Sequence, residues 1–120
     1  MSRVSIRYAK ALFSLALEEK KLDIIANDLK EIEKLIEVND QFRNFISSPL
    51  ISSVKHIELV KNIFSGKVDA LTINFLELIS KKKRFNQLPE ILIAFNELLL
   101  QHHNQLYAEI TSAVALDNQQ

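Results

Sequence analysis

The stretch Ser5 to Glu19, SIRYAKALFSLALEE, carries more apolar surface than a helix lying on one core can bury. At about 100° per residue its polar positions Arg7, Lys10, Ser14 and Glu18 crowd into an arc of roughly 80 to 100°. The rest of the cylinder is apolar or small. One stripe carries Ile6, Ala9, Phe13, Ala16 and Leu17, the spacing of ordinary core packing. A second stripe, Val4, Tyr8, Ala11 and Leu15 with Leu12 on its edge, faces another way and must be covered by something else.

The remaining chain supplies the rest of a helical bundle. Leu22, Ile25, Leu29, Ile32 and Ile36 repeat at helix spacing over Leu22 to Val38, with Asp28, Lys30, Glu31, Lys34 and Glu37 facing away. Asp40 is placed to cap a short helix carrying Phe42, Phe45 and Ile46, which Ser47, Ser48 and Pro49 terminate. Ser52 or Ser53 opens a fourth helix through Phe64, closed by Ser65 and the only glycine, Gly66. Asp69 caps a fifth helix to about Lys82. Here Leu71, Phe75, Leu78 and Ile79 form one stripe, and Ile73, Leu76 and Ser80 with Thr72 form another. Pro89 sits where a first helical residue belongs, and a sixth helix runs to about Leu106.

The expected class is all-α: a six-helix bundle over residues 1–106 with an unpaired, strand-like C-terminal tail. The tail reading comes from LYAEITSAVAL, which alternates and holds Ile110, Thr111 and Val114 with no strand to pair with. Residues 107–120 are therefore expected to be the truncated start of a second domain, mobile on its own.

Enzyme chemistry finds little support. One glycine cannot build a phosphate-cradling loop, and no serine sits in a nucleophile-elbow context. His102 and His103 point about 100° apart on a helix, with no further ligand at metal spacing, so neither metal nor cofactor is expected. The acids lie opposite the apolar stripes as solvated charge. Lysine plus arginine equals aspartate plus glutamate at 15 each, so no global field draws in nucleic acid or anionic lipid. The longest apolar run, Ile91 to Phe95, is far too short to enter a bilayer as a span. One basic run, Lys81 to Arg84, falls where the fifth helix ends and the macrodipole favours cations. Its alternative use is a free-standing nucleic-acid-binding module, which a steep salt dependence of affinity would reveal. Packing of the surplus stripes within a homodimer is a further alternative.

The surplus stripes of helices one and five, taken together, define a groove about one helix wide. Its expected residues are Tyr8, Ala11, Leu12 and Leu15 from the first helix and Ile73, Leu76 and Ser80 from the fifth. An apolar groove of this kind recognises an amphipathic helix through anchors at i, i+3, i+4 and i+7.

RYAKALFSLALEE at 7–19, FLELISKKKRFNQLPEI at 75–91 and AEITSAVALDNQQ at 108–120 resemble, in order and spacing, the delta subunit family of F-type ATP synthases, called OSCP in mitochondria. The most specific pieces are RYAKALF and the R-x-N-x-L-P junction from Arg84 to Pro89. The resemblance implies a non-catalytic stator subunit on the crown of the catalytic head, peripheral to the cytoplasmic face of a bacterial plasma membrane. It implies that helices one and five hold the N-terminal helix of an alpha subunit, and that a missing C-terminal domain binds the b subunits of the stalk. One departure stands out: many relatives have glycine before the arginine matching Arg84, where this chain has Lys83.

Overall fold

Four of the helices begin where a short polar side chain takes over an otherwise unpaired backbone N–H. Ser2 accepts from the N–H of Ser5 at 3.1 Å, Asn39 from Phe42 at 3.0 Å, Ser52 from Lys55 at 3.2 Å and Asp69 from Leu71 at 3.0 Å. The chain, described here by a computed structural model over residues 1–118 with side chains through Ala113, forms α1 (Arg3–Glu18), α2 (Leu22–Val38), α3 (Asp40–Ser47), α4 (Ser53–Phe64), α5 (Ala70–Lys81) and α6 (Leu88–Asn118). A single 3-10 turn, Phe85–Gln87, leads into α6. All regular structure among the described residues is helical, as expected. At two starts the details shift: Asn39 rather than Asp40 caps α3, and Leu88 precedes Pro89 as the first residue of α6.

The strand-like tail is not observed. Residues 107–118 continue α6, making one helix of 31 residues. A strand without a partner leaves its N–H and C=O groups to water, whereas a helix closes them on itself. Ala108, Glu109 and Ala113 favour that choice, and Ile110 and Thr111 oppose it only by tenths of a kcal/mol each. Gln119 and Gln120 lie outside the described residues.

α6 packs most extensively against α1, and α4 against α5, while α2 touches both pairs. The α1–α6 contact is aromatic and polar. Phe13 meets Phe95 edge-on with ring centroids 5.5 Å apart and His102 at 5.7 Å. Fully buried Ser5 lies 2.9 Å from Glu90 Oε2 and 3.0 Å from Gln87 Oε1. Buried His56 stacks on Phe85, in the same turn as Gln87, and its Nε2 bonds the Phe45 carbonyl at 3.1 Å. That bond makes a buried imidazole tolerable in the core, a structural use of the histidine. From about His103 onward α6 leaves the bundle: Leu106, Tyr107 and Ile110 are all exposed.

α2 fixes α5 through one carboxylate. Asp28 Oδ2 accepts from the Asp69 N–H and from the Thr72 hydroxyl, each at 2.8 Å. The Thr72 side of α5 is thereby drawn against α2.

α1 and α5 end alike. Lys20 and Lys83 both have φ 59°, the left-handed conformation that glycine usually supplies. In α1 the Lys20 and Lys21 N–H groups bond the Leu17 and Ala16 carbonyls; in α5 those of Lys83 and Arg84 bond Ser80 and Ile79. Both are Schellman closures, with a lysine at the left-handed position.

Candidate functional site

α1 and α5 run in opposite senses. Lys21, just past α1, reaches Asp69 at the start of α5 (Nζ to Oδ2 3.3 Å), while Ser5 near the start of α1 meets Gln87 beyond the end of α5. Between these fixed points the two helices leave an open cleft of about 170 Å³ lined by Tyr8, Ala11, Leu12 and Leu15 from α1 and Leu71, Asn74, Phe75 and Leu78 from α5. Tyr8 and Phe75 meet edge-on across it, centroids 6.4 Å apart. Its lining is apolar except for Asn74 and the tip of Tyr8. A hollow of this size falls below the range that takes up drug-sized ligands, but it accommodates side chains from a ridge laid along it.

All four residues expected from α1 line the cleft, with Leu12 as the buried floor and Leu15 39% exposed on the wall. The α5 half is corrected. Leu76 and Ser80 are fully buried, Ile73 is half-buried against the core, and none of the three lines the cleft. Leu71, Phe75 and Leu78 of the other stripe form the wall, joined by Asn74, while Phe75 and Ile79 of that stripe also belong to the buried core.

The reason is hydrogen bonding. Ser80 Oγ bonds the Leu76 carbonyl of its own helix at 2.8 Å, and Thr72 is satisfied by Asp28. Both can therefore be buried without an unpaired group, and their small size lets α5 approach closely. The signal that finds the right face is the shared spacing. Tyr8, Ala11, Leu12, Leu15 and Leu71, Asn74, Phe75, Leu78 are the same i, i+3, i+4, i+7 pattern on the two helices.

The Asp69 cap fixes the start of α5. The Leu71 N–H holds its carboxyl below the ordinary carboxylate range; partial burial opposes this, and the Lys21 ammonium assists it. Lys81 to Arg84, the basic run, is exposed at the end of α5 and makes no ion pair among the described residues.

Two larger hollows lie elsewhere. One of about 610 Å³ lies among α2, α3 and α4, and one of about 420 Å³ lies between the α3–α4 connection and Lys83 to Asn86. Among the described residues no three acidic, histidine or cysteine side chains converge to hold a metal, and no helix is long and apolar enough to cross a membrane.

Residues 4–120 match the sequence profile described as ATP synthase delta (OSCP) subunit. The chain is 35% identical over 117 residues to the ATP synthase subunit delta of Lachnoclostridium phytofermentans, covering 98% of this chain and 64% of that protein. It is 37% identical over 110 residues to the subunit of the same name from Clostridium perfringens, covering 92% and 62%. It thus spans less than two thirds of the length of these relatives. In solved structures it is similar to a chain of the Toxoplasma gondii mitochondrial ATP synthase hexamer, with TM-score 0.73, 28% identity, and 78% of this chain and 53% of that one covered. A chain of the Polytomella F-ATP synthase F1 head and rotor has the same fold, with TM-score 0.76 at 19% identity, covering 86% and 91%.

Proposed function

This chain belongs to the ATP synthase delta (OSCP) subunit family, and from that premise we propose that it is a non-catalytic tether whose α1–α5 cleft holds the N-terminal helix of an alpha subunit. Residues 1–106 form the clamping domain. Residues 107–120 lead toward a C-terminal domain through which the b subunits of the peripheral stalk are bound, at the cytoplasmic face of a bacterial plasma membrane. A rotating shaft drags on the catalytic head, so the head must be tied to the stationary part or the work of proton flow is lost.

The observation that carries this reading is the open apolar cleft between α1 and α5. Its walls are backed by fully buried Ala9, Ala16 and Ile79, so the cleft is held open before anything docks. A helix seated there would bury on the order of 1,000 to 1,600 Å² in total, enough for tight binding where little reorganisation is needed.

The test is calorimetric titration with a peptide of the alpha-subunit N-terminus. Ala11 is exposed on the cleft wall, so Ala11→Asp places a carboxylate against the docked apolar ridge without touching the core. Affinity is expected to fall by about a hundredfold or more, with an unchanged helical circular dichroism spectrum. Unchanged affinity refutes the assignment.

A further inference from the structure

The matched pattern on the two walls continues past the apolar positions. On α1, Tyr8, Ala11, Leu12 and Leu15 are followed at the same spacing by Glu18 and Glu19; on α5, Leu71, Asn74, Phe75 and Leu78 are followed by Lys81 and Lys82. On a helical wheel the second member of each pair falls inside the arc facing the cleft, and the first about 20° outside it. Because α1 and α5 run in opposite senses, the two charged pairs lie at opposite mouths of the cleft. All four side chains are exposed, and none is in an ion pair among the described residues.

Neighbouring charge reinforces the split chiefly at the lysine mouth. Lys83 and Arg84 directly follow the lysine pair, and Arg3 and Arg7 stand in the first turns of α1 at the same end, where Glu90 beside Ser5 is the opposing charge. At the glutamate mouth Lys21 is engaged by Asp69, and Lys20 and Lys67 are the opposing charges. The macrodipoles of two helices in opposite senses largely cancel along the cleft, so side-chain charge sets its polarity.

Resting on the tether reading above, the geometry points to a cleft that selects the direction of its occupant: an amphipathic helix with carboxylates at the end facing Lys81 and Lys82 and cations at the end facing Glu18 and Glu19. The apolar floor supplies affinity for a ridge in either direction. The charged mouths distinguish the two directions, as complementary rim charges do at other interfaces. For a tether under load this gives one docked orientation instead of two.

The probe is a synthetic 20-residue amphipathic helix with leucines at i, i+3, i+4, i+7 and i+11, two glutamates in its first turn and two lysines in its last, spin-labelled at its N-terminus. In low salt the label is expected to broaden the amide signals of Val4 and Leu78 and to spare those of Leu15 and Leu71. The double variant Lys81→Glu, Lys82→Glu is expected to bind this peptide roughly tenfold more weakly, the deficit shrinking in high salt. The Glu18→Gln, Glu19→Gln variant is expected to lose less, and circular dichroism checks that each variant is folded.

Equal broadening at both mouths, broadening at the glutamate mouth, or unchanged affinity of the folded lysine variant overturns the directional inference while leaving the tether intact. Failure of this peptide to bind the wild-type chain also overturns it. The tether reading falls only if the alpha-subunit peptide fails as well.

Discussion

Lys20 and Lys83 close α1 and α5 in a backbone conformation that suits glycine, and replacing them is expected to stabilise the domain. An L-residue in the left-handed region costs about 1 to 2 kcal/mol, whereas glycine gives back roughly 0.5 to 1 kcal/mol through the greater freedom of its unfolded chain. The net gain is about 0.5 to 1 kcal/mol per site. For 120 residues the unfolding entropy is roughly 250 cal/mol/K near 60 °C, so each of Lys20→Gly and Lys83→Gly should raise the thermal midpoint by about 2 to 4 °C. The sites cap different helices at opposite mouths of the cleft, so the double variant should gain about 4 to 8 °C. Lys83→Ala separates backbone from charge: it removes the ammonium but keeps the strain, and should change little. Gly66→Ala is the converse, since its φ is 77° and a Cβ there meets nothing within 4 Å. By the same balance of left-handed strain against unfolded-chain freedom, its net cost is about 0.5 to 1 kcal/mol, with no steric contribution. Urea and thermal unfolding of these variants check the set. A lower midpoint for either lysine-to-glycine variant, or a neutral Gly66→Ala, refutes the reasoning.

The two faces of α5 should separate cleanly by mutation. Leu78→Ala, on the cleft wall, should weaken the alpha-subunit peptide by about tenfold at small cost in stability, whereas Leu76→Ala, fully buried, should cost about 2 to 5 kcal/mol in urea unfolding. Asp28→Ala removes the acceptor for both the Asp69 N–H and the Thr72 hydroxyl, so it should cost about 2 to 3 kcal/mol, with Asp28→Asn costing less; a loss under about 0.5 kcal/mol would show that α5 is not fixed this way. Because the Asp69 pKa lies below its model-compound value of 3.8, the stability it contributes is complete above that pH and lost as pH falls through the lower folded value. Acid unfolding of Asp69→Asn should therefore be less steep below about pH 4 than that of the parent, and identical acid profiles would contradict the assignment.

The periodicities that place Leu22–Val38 and the caps at Ser52 and Asp69 are local, and the structure reproduces them. The α1 wall was legible for the same reason: Ala9 and Ala16 face inward, and Tyr8, Ala11 and Leu15 follow from helical geometry. The α5 wall was not. Asn74, Glu77 and Lys81 give that helix one narrow polar side flanked by two apolar stripes, so periodicity left undecided which stripe faces the core, and small Ser80 suggested that its own stripe lined the open groove. Asp28, 44 residues from Thr72 in sequence, reverses that choice by satisfying its hydroxyl in the interior. The tail misled in the opposite way. Its β-branched residues were weighed as strand formers, but without a second strand the cheapest way to satisfy the backbone is to prolong the helix already under way.

The length of α6 has a mechanical consequence. The helix that braces α1 through Phe95 and His102 continues unbroken past the last bundle contact, spanning about 46 Å at 1.5 Å per residue. A pull exerted on the α1 wall crosses the packed contacts of Phe13 with Phe95 and His102 and then travels along a hydrogen-bonded rod that is unbroken through the described residues. Sideways displacement at one end is therefore conveyed to the other as bending of a stiff beam, not lost in a slack joint.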